Sequence, residues 1–137
     1  AQREREECIP IIKNNHLEPF VILHGQQHGA SLDILFEQCD LGVGSLGRHR
    51  SGITNIKTLK NREYAARGIP FIYSEIDEDF ETMPYIMKIP ANESSVNIQQ
   101  VINFYNKIDL TPTKIRKSIK HLSWKEQMKK VITSIKI

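Results

Sequence analysis

Residues 52–73 constrain the fold of this chain more than any other stretch. A helix-compatible segment from Asn55 to Arg67 passes through Gly68-Ile69-Pro70 into Phe71-Ile72-Tyr73, an apolar run with no polar alternation. A short unbroken apolar run is what a strand buried on both sheet faces requires. A helix delivered into such a strand is half of a βαβ crossover, which points to an α/β fold with a parallel sheet.

The remainder reads as further alternation of the same kind. Phe20-Val21-Ile22-Leu23-His24-Gly25 is a second continuous apolar run, and Leu41-Gly42-Val43-Gly44, residues 70–74 and residues 85–89 supply more candidate strands. Residues 3–15 are helical and charged, with a kink expected at Pro10. Leu32, Leu35, Phe36 and Cys39 recur at helical spacing over residues 30–39. Asn97 is placed to cap a helix whose stripe is Ile98, Val101, Ile102, Tyr105 and Ile108. Thr111-Pro112 is an N-cap with proline at the first helical position, and Ser123 with Glu126 forms a capping box. The helix it opens is expected to bury Trp124, Met128, Val131, Ile132 and Ile135. The expected architecture is a Rossmann-like parallel sheet flanked by helices.

A chain of 137 residues fits one domain able to bury about 68% of its unfolded surface. Nineteen Lys and Arg against sixteen Asp and Glu give a net charge of +3, a mixed surface rather than the dense basic patch of a nucleic-acid binder. Acidic small molecules remain plausible ligands. Cys8 and Cys39, both in helical contexts, read as reduced core thiols of a cytoplasmic protein. No apolar run approaches the length of a membrane span, and no signal-peptide pattern opens the chain.

Within the helix that follows Gly52, Glu63 is out of place. At 100° per residue it falls between Ile56 and Leu59 on the stripe expected to face the core. An unpaired buried charge is costly, so a ligand hydroxyl or an internal cation should meet it there. The plainer alternative is a surface ladder with Lys60 and Arg67, contributing about 0.2–0.5 kcal/mol per pair.

Glu63 followed by small residues, then Gly68-Ile69-Pro70 and an apolar strand, resembles the C-terminal, nucleotide-sugar-binding half of the GT-B glycosyltransferases of group 1 type. The resemblance covers roughly residues 3 to 110. It implies a donor-binding domain over residues 1–110 that lacks its opening strand-helix-strand, and a C-terminal helical segment, residues 111–137, packing toward the partner domain. In that family the glutamate at the position of Glu63 binds the donor ribose. The resemblance further implies that Lys60, Asn55, Thr54, Arg48 and Arg50 face the diphosphate or sugar. The implied reaction moves a hexose from a nucleotide-diphosphate sugar to an acceptor hydroxyl, in bacterial polysaccharide or glycoconjugate synthesis. The leaving diphosphate is then stabilised by loop amides and basic side chains, with no resident cofactor and no protein-held metal. The partner is the N-terminal acceptor domain of the same protein, through which the enzyme would sit peripherally at the inner membrane; this fragment alone would be inactive. No catalytic residue is identified. Many family members carry a second glutamate eight positions before the first, where this chain has Asn55. The alternatives are a non-catalytic nucleotide- or dinucleotide-binding module and a flavodoxin-like interaction domain.

Other motifs carry less. Gly42-Val43-Gly44-Ser45-Leu46-Gly47 matches G-x-G-x-x-G, but its first glycines fall inside a strand pattern rather than at a strand-to-helix turn. Arg48, His49 and Arg50 form a glycine-flanked basic loop, and the amides of residues 54–57 at the next helix start would add to an anion site. The acidic run Glu75, Asp77, Glu78, Asp79 and Glu81 reads as a solvated loop, since its spacing matches no calcium cage. His24 and His28 lack partners at zinc spacing.

Overall fold

The computed structural model describes residues 4–135, in two compact units lying within residues 1–38 and 39–137. The first unit opens with a π-helical turn, Glu4–Cys8, running into α1 (Ile9–Asn14). Pro10 sits in the first turn of α1, where its missing N–H would have had no helical partner. The kinked helix expected there is therefore a widened turn followed by a helix that begins at Ile9, one residue before the proline; Arg3 lies outside the described residues. α2 (Ala30–Glu37) half-buries Leu32, Leu35 and Phe36 as their spacing required.

Two readings of this region are corrected. Residues 20–23 form no strand, and Phe20 is 82% and Ile22 71% exposed. The Phe20 and Val21 N–H groups instead bond to the Leu17 carbonyl at 2.9 Å, curling the segment, and an apolar run without a ladder neighbour cannot hold strand conformation. Cys8 and Cys39 are exposed rather than core thiols. α2 ends at Glu37, so Cys39 leaves the helical phase that would have aligned it with Leu35 and Phe36.

The second unit is α/β. Its sheet consists of β1 (Gly42–Val43), β2 (Phe71–Tyr73) and β3 (Ile86–Lys88), in that order and all parallel. Gly42 lies opposite Phe71, and Phe71 opposite Ile86. α3 (Leu59–Arg67) connects β1 to β2. Alternation along β2 sends Phe71 and Tyr73 to one face, where they cluster with Ile56, Ala65, Phe80, Tyr85, Ile115 and Ile119. Ile72 points to the other face and packs with Ile89 and Val101. Both faces are thus covered, as the apolar run of β2 demanded.

α4 (Ile98–Lys107) is capped by Asn97 and α5 (Pro112–Ser118) by Thr111, each side-chain oxygen accepting from the third amide beyond it. Gly68 ends α3 at φ 79°, and a Cβ there would lie 2.5 Å from the Pro112 carbonyl oxygen. Only glycine lets α3 end against α5 so closely. α6 (Trp124–Ile135) begins at the expected capping serine, with the Glu126 amide 3.4 Å from Ser123 Oγ. Its apolar stripe is not buried: Trp124 is 83% exposed, and Met128, Val131, Ile132 and Ile135 are exposed too. The periodicity is right, but none of the described residues of this unit covers that face.

Candidate functional site

In parallel α/β sheets ligands are received beyond the carboxyl ends of the strands. Here three segments meet there: Gly44 to Ser51 after β1, Ser74 to Asp79 after β2, and the turn containing Asn92 and Glu93 after β3. The chain leaves β1 through Gly44, whose Cβ, if present, would come within 2.6 Å of Asn61 Oδ1. Gly42 is as tightly held, since a Cβ there would lie 2.6 Å from the Tyr64 ring. These two glycines let α3 lie close on the sheet, which explains the glycine string without a dinucleotide.

Arg48–Ser51 is a 3₁₀ turn. Its two leading amides, of Arg48 and His49, donate to Glu75 Oε1 at 2.6 and 3.3 Å. Glu75 itself is 2% exposed, and Ser74 beside it is buried. Burial pushes the Glu75 carboxyl up; bonds from its own backbone, the Ser74 hydroxyl and the two loop amides outweigh this and leave it below the usual carboxylate range. Glu75 Oε2 and His49 Nδ1 are buried without a hydrogen-bond partner. Arg50 Nε donates to Glu93 Oε1 at 2.8 Å, and His49 Nε2 lies 2.9 Å from the same oxygen. Arg50 and His49 together hold the exposed Glu93 carboxyl down to about 2.

The basic loop is therefore not an open anion cradle. The protein's own Glu75 occupies its amides and Glu93 engages Arg50, while the Arg48 side chain is exposed. The amides of residues 54–57 do not form a helix start either. Thr58 is the N-cap of α3, and the preceding segment is extended, with Ile56 N–H donating to the Ile76 carbonyl and Ile76 N–H to the Thr54 carbonyl, both at 2.8 Å. Asn55 pairs with Ile76 in a parallel bridge.

That boundary also corrects Glu63. With Ile56 outside the helix and Leu59 84% exposed in its first turn, the core-facing residues of α3 are Asn61, Ala65 and, partly, Tyr64. Glu63 is exposed and accepts from Arg67 Nε at 2.6 Å. Lys60 is exposed as well. α3 leaves the carboxyl side of the sheet, so Lys60 and Glu63 sit within its first turn and a half on that side.

The acidic run, read as solvated, is so only in part: Glu78 and Glu81 are exposed and Asp79 is half-buried, whereas Glu75 and Asp77 are buried. Asp77 is fully buried and accepts from Asn61 Nδ2 at 3.1 Å and from Arg62 Nη1 and Nη2 at 3.2 and 3.3 Å. Arg62 also pairs with Asp79 and donates to the Thr58 carbonyl at 2.9 Å. Glu81 accepts from the Tyr73 hydroxyl at 2.8 Å, from Lys88 Nζ at 2.9 Å and from Asp77 N–H at 3.0 Å. Burial opposes its ionisation, but these donors, Lys88 foremost, hold its carboxyl below the usual range. The available signal was Asn61-Arg62 one turn before Ala65: two polar residues at core-facing phase need a partner, and acids directly after a buried strand can supply it. Among the described residues no group of His, Cys, Asp or Glu could hold a metal ion.

Comparison with family models, with curated proteins and with solved structures gives no match.

Proposed function

We propose that the unit within residues 39–137 binds a nucleotide-diphosphate sugar at the carboxyl side of its sheet, as the donor domain of a GT-B glycosyltransferase. The observation that carries this reading is the placement of Lys60 and Glu63 on the exposed first turns of α3, on the side of a parallel sheet where such folds receive ligands. A carboxylate that accepts ribose hydroxyls has to be reachable, and Glu63 is. Its ion pair with Arg67 is an exposed i,i+4 contact, worth about 0.3–0.5 kcal/mol, so a ligand displaces it at little cost. Arg48, Thr54 and Asn55 lie on the segment that joins β1 to α3 and are exposed. With the loop amides already engaged by Glu75, the diphosphate charge falls to side chains, Lys60 and Arg48 first. The acceptor site and the transfer step belong to the partner domain.

A thermal-shift panel of UDP, GDP, ADP and their sugars tests the assignment, and a response to one base names the donor class. Calorimetry with the responding nucleotide then compares Glu63→Gln, expected to weaken binding by about 1.5–3 kcal/mol, the range for a hydrogen bond to a charged group. Equal affinities would remove Glu63 from the site. Silence across the panel would favour a non-catalytic interaction domain.

A further inference from the structure

Nucleotide binding makes no use of the charge and apolar pattern of the C-terminal helices, which the resemblance would turn toward a partner domain. Residues 111–137 hold eight Lys and Arg against one acid, Glu126, whereas residues 1–110 hold eleven against fifteen. The chain's modest net charge therefore conceals a strongly basic end on an acidic remainder. On α6, Val131, Trp124, Ile135, Met128 and Ile132 fill an arc of about 100°, and all five are exposed. Lys125 and Lys129 border that arc on one side, and Lys130 lies round the helix on the other. A cavity of about 420 Å³ lined by Lys117, Lys120, His121 and Glu126 opens where α5 leads into α6.

From this arrangement we propose that α6 is an interfacial helix that lies on an anionic lipid surface. Its apolar arc enters the acyl boundary, and the lysines of α5 and α6 take the lipid phosphates. Charge decides the occupant. Protein interfaces are depleted of lysine, whereas helices that lie in the membrane interface combine a tryptophan-bearing apolar face with a lysine-rich polar one. Twelve residues make a rod of about 18 Å, and among the described residues no helix is long and apolar enough to cross a bilayer. The helix lies on the surface. This inference does not depend on nucleotide binding.

Trp124 is the single tryptophan and reports on α6 directly. The whole chain is mixed with vesicles of phosphatidylcholine alone or of phosphatidylcholine with phosphatidylglycerol. The expected result is a blue shift of Trp124 emission, protection from an aqueous quencher and co-sedimentation with the anionic vesicles only, reversed by high salt. Lys129→Gln should weaken binding about fivefold, the effect of one basic residue near an anionic surface. Ile132→Asp should abolish the blue shift with the far-UV spectrum unchanged, since Ile132 is exposed and its loss disturbs no core. Equal binding to both vesicle types, or no binding to either, overturns the proposal. So does a blue-shifted emission in lipid-free buffer that accompanies dimerisation, which would assign the stripe to a second copy of the chain.

Discussion

Replacing Asp77 by alanine tests the central energetic reading of the second unit, that this one member of the acidic run is an internal anchor. Asp77 is fully buried and takes bonds from Asn61 Nδ2 and both terminal nitrogens of Arg62. Removing one partner of a buried ion pair costs about 3–5 kcal/mol, because the other charge is left uncompensated. The lower end applies here, since Arg62 is partly exposed and keeps Asp79 and the Thr58 carbonyl. Asn61 Nδ2 is then stranded in the core beside an Oδ1 that already lacks a partner, adding about 1 kcal/mol or more. The expected loss is about 4 kcal/mol or more, a large share of the stability of any small domain. Urea unfolding followed by far-UV circular dichroism reads it as a fall in midpoint of about 1 M or more at unchanged slope. In a double-mutant cycle with Arg62→Met the coupling should exceed about 1 kcal/mol. A loss below about 1 kcal/mol with no coupling would refute the reasoning, since it would mean that water already reaches the pair.

Gly68→Ala should cost about 2–4 kcal/mol by the same assay, from left-handed strain and from pushing Pro112 away; a loss under about 0.5 kcal/mol would show that α5 is free to shift. Glu75→Ala strands the Arg48 and His49 amides, at about 1–3 kcal/mol, and amide hydrogen exchange there should accelerate while that of β2 stays slow; unchanged exchange would remove Glu75 as the clamp. Glu75 and Glu81 have carboxyls held below their ordinary value of 4.5, so their stabilisation is present above that pH and lost as pH falls through the lower folded values. Stability should accordingly be level near neutrality and decline below about pH 5, with a shallower decline in Glu81→Gln.

The sheet was legible because strands with covered faces leave a local mark. Phe71-Ile72-Tyr73 has no polar residue to tolerate solvent, and Gly68 and Pro70 lead into it. Caps were equally readable, since Asn97, Thr111 and Ser123 act on amides three residues away. What failed depended on distant partners. Residues 20–23 have the composition of a strand, but only a neighbour could make them one. Glu63 was placed in the core by extending helical phase back to Ile56, whereas pairing with Ile76, twenty residues on, keeps that segment extended. Asp77 looked solvated for the same reason: Asn61 and Arg62 precede it by fifteen residues or more. Of the candidate site, the residue types at the carboxyl side were readable, but not that Glu75 and Glu93 already engage the basic loop.

Phe71 has four aromatic neighbours, Phe80 at 5.3 Å edge-on and Tyr73, Tyr64 and Tyr85 at 5.7 to 6.2 Å. Its ring protons therefore lie in overlapping ring-current fields and should resonate far from random-coil positions, while the lone tryptophan stands clear on α6. Tyrosine signals in the near-ultraviolet and displaced Phe71 resonances thus report the integrity of the core, and indole emission reports the surface helix. The Phe71 resonances and the indole emission arise from different residues, so the two together distinguish a ligand that tightens the domain from a surface that captures its last helix.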